Sequence, residues 1–149
     1  IYTDLTQETP TPTEESHEIK SEGTYLDNEE ILFALRGLDL ASGNVFYSFN
    51  PAKHAVEALS TGTAESEELP MKNLALNGAA AADVNIPCYK ISLGYNGVNP
   101  GNPQTLWYAR TTSPTNNTYR NVLTYMEVPV MYNLGTLCYT LKAATFATK

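Results

Sequence analysis

The sequence is poor in the residues from which metal centres are built. Its 149 residues include two histidines and two cysteines. A structural zinc site needs four such ligands at short paired spacings, whereas Cys88 and Cys138 lie far apart in the chain. We therefore expect no metal and no other cofactor. The sequence leaves open whether the two cysteines pair, although two buried free thiols are favoured because free cysteine is among the most buried residue types.

The sequence also contains few residues that could support nucleophilic catalysis. His17 lies in an acidic stretch next to prolines, and His54 lies in a segment that we predict to be a short helix. No serine stands in a Gly-x-Ser-x-Gly elbow, so a triad built on His54 is the one remaining route to a hydrolase. We predict that the chain is not an enzyme.

Basic charge and long apolar runs are also scarce. The net charge is -7, and the nine lysines and arginines are scattered along the chain. No basic face for phosphates results, so we expect no nucleic-acid binding by this segment. No apolar run approaches the roughly 20 residues of a membrane helix, so we expect no membrane insertion. Because the sequence begins at Ile1 without a methionine, we expect a segment of a longer polypeptide or a processed chain.

The acidic residues that are present cluster at the start. Residues 1–30 carry nine acids and one base, a charge of -8, and residues 31–149 carry seven acids and eight bases, a charge of +1. Residues 6–16 include Pro10 and Pro12 and no large apolar side chain, which favours an extended or disordered segment. We predict an acidic Thr/Pro-rich hinge or tail over residues 1–23 and a β domain over residues 24–149.

After Gly23 the sequence changes to short apolar or alternating runs separated by Gly, Pro and Asn. This pattern predicts a mainly β fold, an antiparallel β-sandwich or barrel with one short helix. We predict a hairpin in which residues 31–40 and 45–49 are joined through residues 41–44. Two segments carry helix signals, and we assign the first to a strand (27–36) and the second to the short helix (50–59).

Alternation in the last third predicts which side chains share a face of a strand. In residues 119–128, Leu123 and Tyr125 fall on one face and Thr124 and Met126 on the other. In residues 136–146, Leu137, Tyr139 and Leu141 fall on one face, and Cys138, Thr140 and Lys142 fall on the other. The second strand should therefore be half exposed.

Aromatic side chains give the one positive sign of recognition. Tyr and Trp supply contact surfaces and stack on sugars, although they also favour sheet packing. We expect Trp107 to lie in the core. The aromatic residues from position 89 to position 139 are Tyr89, Tyr95, Trp107, Tyr108, Tyr119, Tyr125, Tyr132 and Tyr139.

Two turn-rich segments, residues 95–103 and 112–117, are the candidate partner-binding loops, because binding residues concentrate on loops held by a rigid scaffold. The candidate contact residues in these loops are Tyr95, Asn96, Asn99, Asn102, Thr115, Asn116 and Asn117.

An acidic Pro/Thr hinge, a β domain with long Asn/Pro/Gly loops, and an end at Ala147-Thr148-Lys149 after a final strand resemble the protruding domain of a small icosahedral RNA virus capsid protein. Nodavirus-like and tombusvirus-like capsids have this organisation, and the resemblance covers the whole chain without a diagnostic motif. It implies a domain on the virion surface that forms dimers or trimers and presents loops to a host receptor or glycan. Some such domains bind calcium through paired aspartates, but only Asp39 and Asp83 lie in residues 31–149, so no metal site is carried over.

A second interpretation of the same organisation is a secreted bacterial carbohydrate-binding or pilin-like domain. The hinge would then join it to an enzyme or a cell anchor, and the domain would be extracellular. Binding to glycans through an exposed Trp or Tyr would favour this alternative.

Overall fold

A computed structural model describes residues 2–3, 12–13, 16, 22–27, 30–50, 53–95, 104–110, 121–130 and 134–145. The chain is mainly β, as the sequence predicts. Its elements are β1 (Tyr2–Thr3), β2 (Pro12–Thr13), α1 (Glu30–Ala34), a 3-10 turn (Leu40–Ser42), β3 (Val45–Asn50), β4 (Ala55–Ser60), β5 (Glu65–Leu76), β6 (Ala82–Tyr95), β7 (Gln104–Arg110), β8 (Asn121–Val130), β9 (Gly135–Thr140) and β10 (Ala143–Ala144).

One eight-stranded sheet organises the described body. Its strands follow the order β10-β5-β6-β7-β8-β9, and the β3–β4 hairpin joins it where β4 pairs with the end of β6. All neighbours are antiparallel except β10 and β5, which run parallel. β1 and β2 form a separate two-stranded pair.

The two sides of this sheet meet just after β9. Leu141 N donates a hydrogen bond to Thr124 O on β8 (2.8 Å), and Ala75 N on β5 donates to the O of the next residue, Lys142 (3.0 Å). One residue step therefore carries the chain from β8 to the far edge of β5. The sheet must curl to allow this, because a flat sheet would keep these strands apart by the width of β6 and β7.

The core lies between the helical segment and one face of β6, β7 and β8. Its buried members are Ile31, Leu35, Leu40, Phe46, Leu59, Ile91, Leu93, Leu106 and Tyr108. The opposite face of β7 is also covered, since Trp107 and Ala109 are buried there. A strand covered on both faces is a rigid centre for the fold.

The prediction of a strand over residues 27–36 is wrong, because α1 forms there. Asp27 and Glu30 cap one another: Glu30 N donates to Asp27 Oδ1 (2.7 Å) and Asp27 N donates to Glu30 Oε2 (3.3 Å). This reciprocal pair satisfies amide groups that the first turn of a helix leaves without partners. Ile31 and Leu35, four positions apart, then bury the same side of the turn against the sheet.

The predicted helix over residues 50–59 and the predicted hairpin through residues 41–44 are also wrong. β3 pairs with β4 instead, with Phe46 directly opposite Leu59 and both side chains in the core. The turn between them contains Lys53 and His54, and His54 has the positive φ of 49° that a tight reversal needs. Burial of the paired apolar side chains outweighs the local preference for helix.

A β-bulge in β8 overturns the alternation predicted for that strand. Trp107 pairs with Tyr125 and Tyr108 pairs with Leu123, so Thr124 is the extra residue on β8. Tyr125 therefore points to the face opposite Leu123. The strict alternation predicted for residues 119–128 is wrong beyond Thr124.

Candidate functional site

The predicted partner-binding loops fall almost entirely outside the described residues. This applies to Asn96, Asn99, Asn102, Thr115, Asn116 and Asn117. Tyr95 is described in its backbone alone, as the last residue of β6, where it pairs with Leu59.

The strand ends that flank the two loops lie at opposite ends of β7. One loop joins Tyr95 to Gln104, and the other joins Arg110 to Asn121. β7 has seven residues, so at about 3.3 Å per residue its ends are about 20 Å apart. The structure therefore does not bring the flanking strand ends of the two predicted loops together.

The described aromatic side chains divide into buried and exposed members. Tyr108 is fully buried and its hydroxyl donates to Leu32 O (3.1 Å), and burial raises its pKa well above the ordinary tyrosine range. Trp107 is 6% exposed, which confirms its predicted place in the core. Tyr89 and Tyr125 are half-buried, and Tyr139 is 53% exposed. Tyr119 and Tyr132 lie outside the described residues. Among the described aromatics of this region, Tyr139 is thus the one with a largely accessible ring.

A row of directly paired residues crosses five strands on the Trp107 face of the sheet. In order across β5, β6, β7, β8 and β9 it consists of Glu65, Lys90, Trp107, Tyr125 and Thr140. We call this set the cross-strand row.

Lys90, the cation of the cross-strand row, has two carboxylates and an aromatic ring beside it. Lys90 Nζ lies 5.6 Å from the centroid of the Trp107 ring and 3.7 Å and 3.9 Å from carboxylate oxygens of Glu65 and Glu67. The indole Nε1 of Trp107 donates a hydrogen bond to Glu67. A cation over an aromatic face and between two carboxylates is held by several weak attractions at once. The row therefore stabilises this face of the sheet.

Tyr125 links the cross-strand row to the edge of the sheet. Its ring centroid lies 5.0 Å from that of Trp107, and its hydroxyl donates to Glu127 Oε1 (3.0 Å). Its hydrogen bond with the Cys138 thiol, then burial, then the bond to Glu127 raise the pKa of Tyr125 far above its usual range. The phenol hydroxyl is thus a hydrogen-bond donor to Glu127 at the edge of the row.

The two cysteines are free and occupy different environments. Cys88 is fully buried, with its Sγ 3.4 Å from Thr124 Oγ1, and desolvation raises the pKa of its thiol. Cys138 is exposed on β9. The prediction of a buried free thiol is confirmed for Cys88 and wrong for Cys138, because β9 is the last of the described strands on its side of the sheet.

β9 forms an exposed apolar edge, which sequence reasoning missed. All six of its residues are exposed, including Leu137 (52%) and Tyr139 (53%), so the predicted half-exposed strand is wrong. Leu134, just before β9, is 78% exposed. The absence of any charged residue from 135 to 140 was visible in the sequence, but the position of the strand at an edge was not.

His54 does not lie where a triad was considered. It lies in the exposed turn between β3 and β4, not in a helix. Across the described ranges, no group of three or more His, Cys, Asp or Glu side chains is arranged to hold a metal ion. Within those same ranges, no helix has the length and apolar character needed to cross a membrane.

Comparison with protein-family models, with curated protein sequences and with solved structures finds no significant match to this chain.

Proposed function

We propose that this chain is a non-enzymatic surface module, a protruding domain of a viral capsid protein whose copies associate with one another and attach the virion to a host receptor or glycan. The observation that carries the proposal is the uncharged, exposed edge strand β9 on a sheet whose central strand is covered on both faces. Exposed apolar edges on a rigid scaffold are typical of surfaces that contact other protein chains.

The scaffold suits attachment by many copies at once. Loops held on a rigid sheet can form a binding surface. Linking several copies on one particle raises the overall avidity by a factor of about 100 to 10,000 without any new contact. The segment 96–103 joins β6 to β7 at the end of the sheet where β9 also begins. This end is the one we assign to partner contact, with the domain on the virion surface and the acidic segment 1–23 as its hinge.

Self-association is the first test of the proposal. We expect sedimentation velocity of the full chain to show dimers or trimers at high micromolar concentration. A purely monomeric chain at that concentration would contradict the proposal.

Attachment is the second test, with a matched pair of loop variants. We expect replacement of Asn96, Asn99 and Asn102 by serine to weaken binding of multivalently displayed chains to a cell or glycan panel. The same replacement of Asn116 and Asn117, at the other end of β7, should leave that binding unchanged. Equal loss with both variants would contradict the assignment of the loop end.

The carbohydrate-binding alternative has one observation in its favour, the 53% exposure of Tyr139. An accessible ring can stack on a sugar. Glycan-array binding by the monomeric chain that is lost in Tyr139→Ala and retained in Tyr139→Trp would favour the alternative over the capsid proposal.

A further inference from the structure

The hydrogen bonds between β8 and β9 fix which backbone groups of β9 face outward. Leu141 N donates to Thr124 O, and the register continues with Tyr125 opposite Thr140. In an antiparallel ladder, residues alternate between those that bond the neighbouring strand and those that point away from it. Thr136, Cys138 and Thr140 therefore direct their N–H and C=O groups away from β8.

Two other strand edges in the described part of the chain are protected. The outer side of β3 is covered by residues 24–26, because Tyr47 N donates to Thr24 O (2.8 Å) and Leu26 N donates to Tyr47 O (3.0 Å). The outer side of β5 pairs with β10 at one end and carries acids and a proline at the other, namely Glu65, Glu67, Glu68 and Pro70. Charged side chains and proline discourage pairing with another chain.

β9 has none of these protections. Its sequence, Gly-Thr-Leu-Cys-Tyr-Thr, contains no charge and no proline, and within the described residues it pairs with β8 alone. Since the whole chain carries a charge of -7, two copies repel one another wherever their acidic surfaces meet. At the neutral β9 edge, a second copy can approach without like charges facing each other. Between two β5 edges, acidic side chains would face each other.

We propose that β9 is the dimerisation edge of this protein, where two copies pair their β9 strands antiparallel and extend the sheet from one subunit into the other. The inference rests on the self-association proposed above and names the surface responsible for it. β-strand addition of this kind gains affinity from main-chain hydrogen bonds and specificity from alternate side chains.

Two-fold symmetry limits the register of such a dimer. An antiparallel pair of identical strands related by a two-fold axis places one residue opposite its own copy. Centring on Cys138 uses all three outward-facing residues of β9, because Thr136 then lies opposite Thr140 of the partner subunit. The two Cys138 side chains lie side by side in this register.

The same register brings the exposed apolar side chains together. Leu137 lies opposite the partner's Tyr139 at a non-hydrogen-bonded position, where facing residues approach most closely. Tyr139 also sits opposite Met126, which packs against the core. Pairing thus covers the apolar surface that the isolated subunit exposes on this face.

Cross-linking of Cys138 tests the pairing in the full, reduced chain. Cys88 is fully buried and Cys138 is exposed, so a short bismaleimide reacts selectively with Cys138 in the folded protein. We expect a covalent dimer, and we expect Cys138→Ser to abolish it. A chain that sediments as a dimer but gives no Cys138 cross-link would overturn the β9 pairing while leaving the proposed self-association intact.

Two variants test the edge by different routes, each read by sedimentation equilibrium. Leu137→Lys places a charge on the apolar face of β9, and Thr140→Pro removes one outward N–H while leaving the bonds to β8 in place. We expect each to weaken dimerisation by about tenfold or more. Phe33→Lys is the matched control, because Phe33 is 71% exposed on α1 and is not part of β9, and it should leave dimerisation unchanged.

The outcomes separate the two proposals. Unchanged dimerisation in both edge variants, with circular dichroism showing them folded, would overturn the β9 inference alone. A wild-type chain that stays monomeric at high micromolar concentration would overturn both proposals. A monomeric chain in which Cys138 does not react with the maleimide would also overturn both proposals. It would indicate that another part of the same chain covers β9.

Discussion

Replacing Asn121 with alanine should loosen the contact between the helical segment and the sheet. Asn121 is 4% exposed at the start of β8, and its Nδ2 donates to Leu35 O (3.0 Å) and to Leu38 O (2.9 Å). Its backbone N also donates to Arg36 O (3.1 Å). One side chain therefore binds two carbonyls just after α1.

The loss of stability in Asn121→Ala follows from the two carbonyl groups that lose a hydrogen-bond donor. Leu35 O loses a buried hydrogen bond, and a buried acceptor without a partner costs about 1–3 kcal/mol. The bond to Leu38 O is partly exposed, so water can replace it and its loss costs about 1 kcal/mol. We expect Asn121→Ala to lower the free energy of unfolding by about 2–4 kcal/mol. For a chain of this size the melting temperature should fall by about 5–15 °C.

Urea denaturation followed by tryptophan fluorescence measures this change, since Trp107 is the single tryptophan and is buried. Asn85→Ala is the matched control, because Asn85 is exposed on β6; it should change the free energy of unfolding by less than about 0.5 kcal/mol. Asn121→Asp should be at least as damaging as Asn121→Ala, because a carboxylate would face the carbonyls that the amide now binds. Equal stabilities for Asn121→Ala and Asn85→Ala would refute the role assigned to this side chain.

Three further predictions concern other parts of the sheet. A thiol reagent should label Cys138 rapidly in the native protein and Cys88 only on unfolding, because burial protects the Cys88 thiol and raises its pKa. Thr124→Val should lower the free energy of unfolding by about 1–3 kcal/mol, measured by urea denaturation, because the hydroxyl at the bulge donates to a buried carbonyl of β7. Asp83→Asn should reduce the loss of stability in an acid titration. The hydrogen bond from Lys72 holds the pKa of Asp83 below its ordinary value, so its contribution is full above the ordinary aspartate range and is lost as pH falls through the lowered pKa.

Each of these predictions has a result that would contradict it. Equal labelling rates for the two thiols would disprove the protected position of Cys88. A stable Thr124→Val would show that the bulge does not depend on the hydroxyl, and Thr140→Val on exposed β9 is its control. If Asp83→Asn lost as much stability at low pH as the unmodified chain, the contact with Lys72 would be too exposed to affect stability.

α1 and the β3–β4 hairpin show the limits of local sequence signals. The capping residues Asp27 and Glu30 were visible in the sequence, and so was Asn50 before a proline at residue 51. Both segments satisfied the rules for a helix start, and one of them became a strand. What separated them was the partner available in space, since Phe46 and Leu59 bury one another across β3 and β4.

The candidate site shows the same limit. Tyr139 and Leu137 have the alternation of a strand, and the sequence predicts correctly that they lie on one face of it. Their exposure depends on β9 having no neighbour other than β8 within the described residues. Register with a neighbouring strand and position within a sheet are long-range properties, and one shifted residue at Thr124 was enough to reverse the faces predicted for β8.

The sequence by itself determined the fold class, through turn residues and short apolar runs, and the contrast between an acidic first segment and a nearly neutral body. These features depend on composition and on spacing over a few residues. The tertiary structure decided which helix-like segment is a helix, which cysteine is buried, and which strand lies at an edge. Those outcomes depend on contacts between residues far apart in the chain, whose burial outweighs the small differences in local backbone preference.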